Sequence, residues 1–243
     1  MSNPFPQVKR ILLKLSGEAL MGDDPYGIDA PVLQTVADEI AAIGRLGIQL
    51  GIVVGGGNIF RGLKAGQLNI GRVAADHMGM LATVINTIAL AEALRAQGCE
   101  ARILSAIQME SITEPFSRER AVGYLEGGAI VHFCAGTGNP FFTTDTAATI
   151  RALEIDADVL LKATKVDGVY DADPVIHPEA RFFGRLTHRE VLEKNLRVMD
   201  MTAISLAMER GLQIAVFNLR KPGNIERFIR GEPVGTLITG EKT

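Results

Sequence analysis

The chain has 243 residues, 47% of them hydrophobic and 22% charged, which is close to a globular average. That balance excludes a disordered or collagen-like chain. Its 25 basic and 28 acidic residues give a net charge of −3, which argues against a protein whose main business is coating nucleic acid.

The length predicts one large domain or two small ones. The two cysteines, Cys99 and Cys134, are too few for a disulfide framework or a zinc site, and both lie beside apolar runs, as small buried residues do. Residues Met1 to Gln7 lack the basic and apolar regions of a signal peptide. No run is read as approaching the roughly 20 apolar residues of a membrane span. These features predict a reduced, cytoplasmic protein.

In chain order, Arg10 to Ser16 reads as a strand, followed by a helix over Val32 to Leu46 with Asp29 as its cap and Pro31 in its first turn. Ile48 to Val54 is a second strand. Asp76 to Gln97 is a long helix, with Leu81, Val84, Ile85 and Ile88 at helical spacing. A strand over Ala101 to Ser105, a helix over Ser117 to Glu126 and a strand over Ala129 to Ala135 come next. Thr143 to Leu153 reads as a helix and Asp158 to Ala163 as a fifth strand. Val166 to Leu186, rich in Asp, Gly, Pro and Phe, reads as a hairpin-like excursion. Thr187 to Glu190 has the capping-box pattern of a helix start. Asp200 to Arg210 is helical, Gln213 to Phe217 a strand, and Ile225 to Arg230 a last short helix.

This alternation predicts a mostly parallel sheet of five or six strands, covered by helices on both faces. No linker or low-complexity segment divides it. In such a sheet ligands bind beyond the carboxyl ends of the strands, and four strands end in suggestive residues. Lys14 sits between Leu13 and Leu15. Either it meets an anion or its strand is an edge that lets it reach water. Gly55, Gly56 and Gly57, followed by Arg61, suit an anion cradle or a plain tight turn. The run from Ala135 to Asp145 carries glycines, hydroxyls and the Phe141–Phe142 pair into a helix N-terminus, favourable for phosphate. Thr143, Thr144 or Asp145 also serves as the cap. Lys162 ends the fifth strand, Tyr170 offers a ring for stacking, and Asp173-Pro174 is also an ordinary turn signature.

Together these residues suit phosphoryl transfer, which depends on positioning and charge stabilisation. Asp145 would hold the lysines in register, and Mg²⁺ would screen the phosphates. The P-loop, dinucleotide, zincin and serine-hydrolase patterns do not occur. His77, His132, His177 and His188 are scattered without metal-ligand spacing, and no metal ligand is assigned.

The sequence resembles the amino acid kinase family, most closely its bacterial uridylate (UMP) kinases, over nearly the whole chain. The resemblance rests on Lys9 to Leu20, Gly55 to Gly62, Asp76 to Ala82, Ala135 to Asp145, Lys162 to Val169, Val198 to Asp200 and Gly235 to Ile238. It implies a three-layer α/β/α sandwich with a mostly parallel central sheet. It also implies transfer of the ATP γ-phosphate to UMP with Mg²⁺, in cytoplasmic pyrimidine nucleotide synthesis, by a homohexamer built as a trimer of dimers. Residues 1–243 would form one domain, its acceptor-binding part over residues 1–155 and its ATP-binding part over residues 156–243.

By the resemblance, Lys14, Leu15, Ser16, Gly17, Gly57 and Arg61 face the ATP phosphates, and Thr164, Tyr170 and Asp173 hold adenosine. Gly56 and Asp76 meet UMP, with Asp76 on the ribose. Thr137, Gly138, Asn139, Pro140, Phe141, Phe142, Thr143 and Thr144 wrap the uracil and the UMP phosphate. Lys14, Lys162 and Asp145 are the expected catalytic residues, and Asp200 is a further candidate. GTP activation, linked to the variable loop over residues 22–27, and UTP inhibition are family expectations. A kinase with a carboxylate acceptor and a non-catalytic nucleotide-binding regulator are the competing readings.

Overall fold

The computed structural model describes residues 8–60, 69–219 and 221–240. Six apolar strands form the middle of one sheet: β1 (Arg10–Leu15), β2 (Gln49–Val54), β3 (Ala101–Ser105), β5 (Ile130–Cys134), β6 (Val159–Thr164) and β10 (Gln213–Asn218). They run parallel in the order β3-β5-β2-β1-β6-β10. Short strands extend the edges to nine: β4 (Glu114–Pro115) beyond β3, and β11 (Thr236–Thr239) with β9 (Arg185–Thr187) beyond β10. β11 pairs antiparallel with β10. The excursion after β6 is a two-stranded antiparallel hairpin, β7 (Val169–Tyr170) against β8 (Phe182–Phe183).

Helices cover both faces. α1 (Ala30–Gly44), α2 (Arg72–Ala96) and α7 (Asn224–Ile229) pack on one side. α3 (Arg118–Glu126), α4 (Thr144–Glu154), α5 (His188–Glu193) and α6 (Met201–Arg210) pack on the other. Because side chains alternate along a strand, Ile11, Leu13 and Leu15 of β1 enter the first core and Leu12 the second. Sequence reasoning found the long helices and the central strands. Asp29 caps α1 by accepting from Val32 N at 2.8 Å, and Thr187 with Glu190 forms the capping box of α5. The three edge strands were not expected, and they raise the strand count from five or six to nine.

Two expectations are corrected. The helix predicted from Asp76 begins at Arg72, which puts Asp76 inside the helix, where it pairs with Arg72 one turn before it at 2.9 Å. That helix is also, by length and composition alone, apolar enough to cross a membrane. Here it is a core helix, burying Met80, Val84, Leu90, Ala91 and Leu94 in the first core. Cys134 is buried and Cys99 half-buried, both as free thiols, and burial pushes the Cys134 thiol up to about 11.

Candidate active site

Lys14 does not lie on an edge. β1 is the central strand of the nine, and Lys14 is only 8% exposed. Its register partner on β6 is Lys162. Both follow the inward-facing leucines of the second core, Leu12 and Leu160, by two residues, so both ammonium groups emerge on the α4 side of the sheet. Two like charges at this depth need a counter-charge, and the first turn of α4 supplies it. The Asp145 carboxylate lies 2.8 Å from Lys14 Nζ through Oδ1 and 2.7 Å from Lys162 Nζ through Oδ2. Lys162 also donates to Val198 O.

Burial alone would raise the Asp145 carboxyl, but the two ammoniums outweigh it and hold it below the usual carboxylate range. Burial, with Lys14 adding to it, pulls the Lys162 ammonium below the usual lysine range despite Asp145. The centre is one anion between two cations, with a net positive charge.

Thr143 is the α4 cap; its hydroxyl accepts from Asp145 N at 3.0 Å. That hydroxyl in turn donates to Asp200 Oδ2. Asp200 also accepts from Thr146 Oγ1 at 2.9 Å and caps α6 through Ala203 N at 2.9 Å. So Asp200 braces the start of the helix that carries Asp145. The sequence offered a signal for this brace in the Val198–Asp200 segment, but not its role.

The residues just before Asp145 in the chain, Thr143 and Thr144, line a cavity of about 200 Å³ with Gly56, Gly57, Asp76, Thr137 and Phe142 among others. Gly56 is required there: a Cβ would fall 2.7 Å from Ala82 Cβ and 2.9 Å from Gly79 O. The Asp76 carboxylate accepts from Phe141 N at 2.8 Å, tying α2 to the loop before α4, and Phe141 takes a left-handed φ of 73°. Gly138, Asn139, Pro140 and Phe141 do not line this cavity. They form a turn in which Asn139 N donates to Thr137 Oγ1 at 3.1 Å, and Phe141 is largely exposed.

Asp145 and Lys162 themselves line a cavity of about 300 Å³ with Val198 and Asp200, and Thr164, Tyr170 and Asp173 line one of about 510 Å³ with Asn195, Val198 and Val216. The Tyr170 ring meets Phe182 edge-on at 5.4 Å. Asp173 also makes the turn that Asp-Pro predicts, accepting from Val175 N at 2.9 Å. Leu15 is wholly buried, and its carbonyl accepts from Gly55 N at 2.9 Å, so β1 and the glycine loop are joined by backbone. Ser16 and Thr164 border a further cavity under α1. Arg61 lies outside the described residues.

Buried cations at the ends of central parallel strands, glycine loops and a helix N-terminus are the means by which a protein handles phosphate. The class is that of the α/β phosphotransferases. The chain belongs to the amino acid kinase family, whose sequence pattern matches residues 9–218. The UMP kinase of Bacillus anthracis is similar at 41% identity, with 97% of each chain covered and a TM-score of 0.94. The UMP kinase of Ureaplasma parvum is 38% identical over 96% of this chain and 99% of its own, with a TM-score of 0.90. The uridylate kinase of Archaeoglobus fulgidus is 27% identical over 94% of this chain and 99% of its own, with a TM-score of 0.73.

Proposed function

We propose that this protein is a UMP kinase of pyrimidine nucleotide synthesis. A phosphate oxygen of UMP attacks the γ-phosphorus of ATP. The bond from that phosphorus to the β–γ bridging oxygen breaks, and UDP and ADP leave. The observation that carries this reading is the Lys14–Asp145–Lys162 centre, with Asp145 and Lys162 lining a cavity of about 300 Å³ together with Val198 and Asp200. Lys14 and Lys162 stabilise the charge on the transferring group, and Asp145 keeps both ammoniums aimed.

The cavity of about 200 Å³ is read as the UMP side, with Gly56 and the loop over residues 137–144 around the nucleotide and Asp76 on its ribose. The cavity of about 510 Å³ is read as the adenosine side, with Thr164, Tyr170 and Asp173, and Lys14 to Gly17, Gly57 and Arg61 face the ATP phosphates. A polar edge such as uracil is discriminated strongly where the site's own polar groups would otherwise go unpaired. Mg²⁺ enters with ATP as part of the substrate. Among the described residues no group of three or more His, Cys, Asp or Glu could hold a metal, and Asp145 already faces two ammoniums. Phosphate oxygens are therefore its expected ligands. Residues 1–155 form the acceptor part of one domain and residues 156–243 the ATP part.

The expected result is rapid UDP formation from MgATP and UMP, with CMP, dUMP, acetylglutamate and aspartate inert as acceptors. Chelation of Mg²⁺ stops the reaction, GTP raises the rate and UTP lowers it. Turnover of a carboxylate acceptor, or ATP binding with no turnover at all, overturns the assignment. The enzyme is placed in the cytoplasm, which cell fractionation checks.

The assembly is a homohexamer, a trimer of dimers. The α2 surface supports a contact between copies: Val73, Met78, Leu81 and Ile85 are exposed along it, and an apolar stripe at helical spacing suits a second copy. Light scattering is expected to give the mass of six chains, and the pair Leu81→Glu and Ile85→Glu a smaller particle. An unchanged mass in that variant places the contact elsewhere.

A further inference from the structure

Under the glycine loop two side-chain amides are buried together. Asn58 follows the glycine triplet and Asn86 lies midway along α2; they are 2% and 0% exposed. Asn86 Nδ2 donates to Asn58 Oδ1 at 2.6 Å, and Asn58 Nδ2 donates back to Asn86 Oδ1 at 2.9 Å. Each amide spends its remaining N–H on backbone. Asn86 donates to Gly55 O at 2.7 Å and Asn58 to Gly27 O at 2.8 Å. Gly27 N returns a bond to Asn58 O at 2.8 Å. Gly17 is pressed onto the same pair: a Cβ there would fall 2.4 Å from Asn58 Oδ1 and 2.6 Å from Gly55 O.

An apolar pair could fill this space without the desolvation cost of two amides. What an apolar pair could not do is fix a loop. Asn86 grips both ends of the turn, Gly55 through its carbonyl and Asn58 through its side chain, and leaves Gly56 and Gly57 between two anchored points. A fully satisfied buried network of this kind enforces one geometry. It also refers that geometry to α2, the helix that carries Asp76.

We propose that Asn58 and Asn86 are positioning residues for the nucleotide phosphates, an amide staple that sets the glycine cradle and ties it to Gly17 and Gly27. The proposal rests on the phosphotransferase reading of the site. A structural role alone would lower stability and leave nucleotide binding unchanged, so binding is the readout. Calorimetric titration with MgATP would compare wild type with Asn58→Ala, Asn86→Ala, the double variant and Asn86→Asp. The last keeps the shape and loses the N–H pair that Gly55 and Asn58 need. Leu94→Ala, at the far end of α2, serves as a variant that loosens the core without touching the staple.

Loss of one buried hydrogen bond's worth of geometry corresponds to an ATP Kd raised about tenfold, and that is the result expected for each staple variant. The double variant binds no more weakly than the worse single one, because the pair acts as a unit. In turnover KM for ATP rises while kcat holds within about threefold, since the lysine–aspartate centre is intact. Leu94→Ala keeps the wild-type Kd. Folded staple variants with wild-type Kd, or additive losses in the double variant, overturn the proposal. The kinase reading is tested apart from it: wild type that binds ATP but forms no UDP loses the acceptor assignment and leaves the staple's test standing. Wild type that binds no ATP ends both.

Discussion

Replacing Asp145 by asparagine is expected to lower kcat about 10²- to 10³-fold, the usual cost of removing one preorganised electrostatic group, while KM for both nucleotides changes little. The Asp145 carboxylate is spent on the two lysines, at 2.8 and 2.7 Å. The amide keeps the shape of the side chain, but one end now points N–H groups at an ammonium. Two neighbouring cations, register partners on β1 and β6, lose the carboxylate they share at a depth where breaking a buried pair costs about 3–5 kcal/mol.

The pH dependence follows with a definite sign. Burial already pulls the Lys162 ammonium down, and Asp145 opposes that pull. Without Asp145 the lysine pKa drops further, so the basic limb of the kcat profile moves to lower pH. The Asp145 carboxyl itself is held low in the folded protein. Its stabilising contribution is therefore present above the unfolded carboxylate pKa and is lost as pH falls through the folded value; in the variant this acid-side loss disappears. Kinetics from pH 6 to 10 would check the first, and urea unfolding from about pH 6 down to about pH 2 the second. An unshifted basic limb with wild-type kcat would refute the assigned role of Asp145.

The parts of this fold that were legible are those whose local pattern and tertiary role agree. The central strands are continuous apolar runs because helices bury both of their faces. α1, α5 and α6 carry side-chain caps, at Asp29, Thr187 and Asp200. The edge strands were not legible. β4 and β9 are two and three residues long, too short to show a period, and pairing alone defines them. β11 had a signal in Thr236-Leu-Ile-Thr239 after a glycine. Gly235 takes a φ of +70°, and a Cβ there would fall 2.0 Å from Val216 O, so this turn depends on glycine.

The site divides in the same way. Lys14 and Lys162 were legible because charges at the ends of apolar strands are costly and therefore informative, and Asp145 because it closes a glycine- and hydroxyl-rich run that leads into a helix. Their meeting depends on register: β1 and β6 are far apart in sequence, and only the pairing of Lys14 with Lys162 sets both beneath one helix. The staple asparagines gave no such signal. An asparagine after a glycine turn and another in a helix are ordinary, and their significance lies in one contact between distant segments.

A second large effect is expected away from the site. His132 lies on β5 between Ile52 of β2 and Ile103 of β3. It is fully buried, and neither ring nitrogen has a hydrogen-bond partner. Burial, with a smaller contribution from the Arg95 charge, pushes its pKa down to about 3. The folded protein therefore keeps the ring neutral, whereas the unfolded chain takes up a proton near pH 6.5. Stability from this residue is complete above that pH and is lost as pH falls from there toward 3, at up to about 1.4 kcal/mol per pH unit. Between pH 7.5 and 5 the loss is about 2 kcal/mol. His132→Leu removes the titration and both unpaired nitrogens, so the variant is expected to be more stable than wild type at neutral pH by about 1–3 kcal/mol. The gap widens by the further 2 kcal/mol, roughly, at pH 5. Urea unfolding of both proteins at the two pH values measures it, and other titrating groups cancel in the difference. A gap that stays constant with pH would mean that the native ring is protonated or bonded, contrary to its place in the sheet.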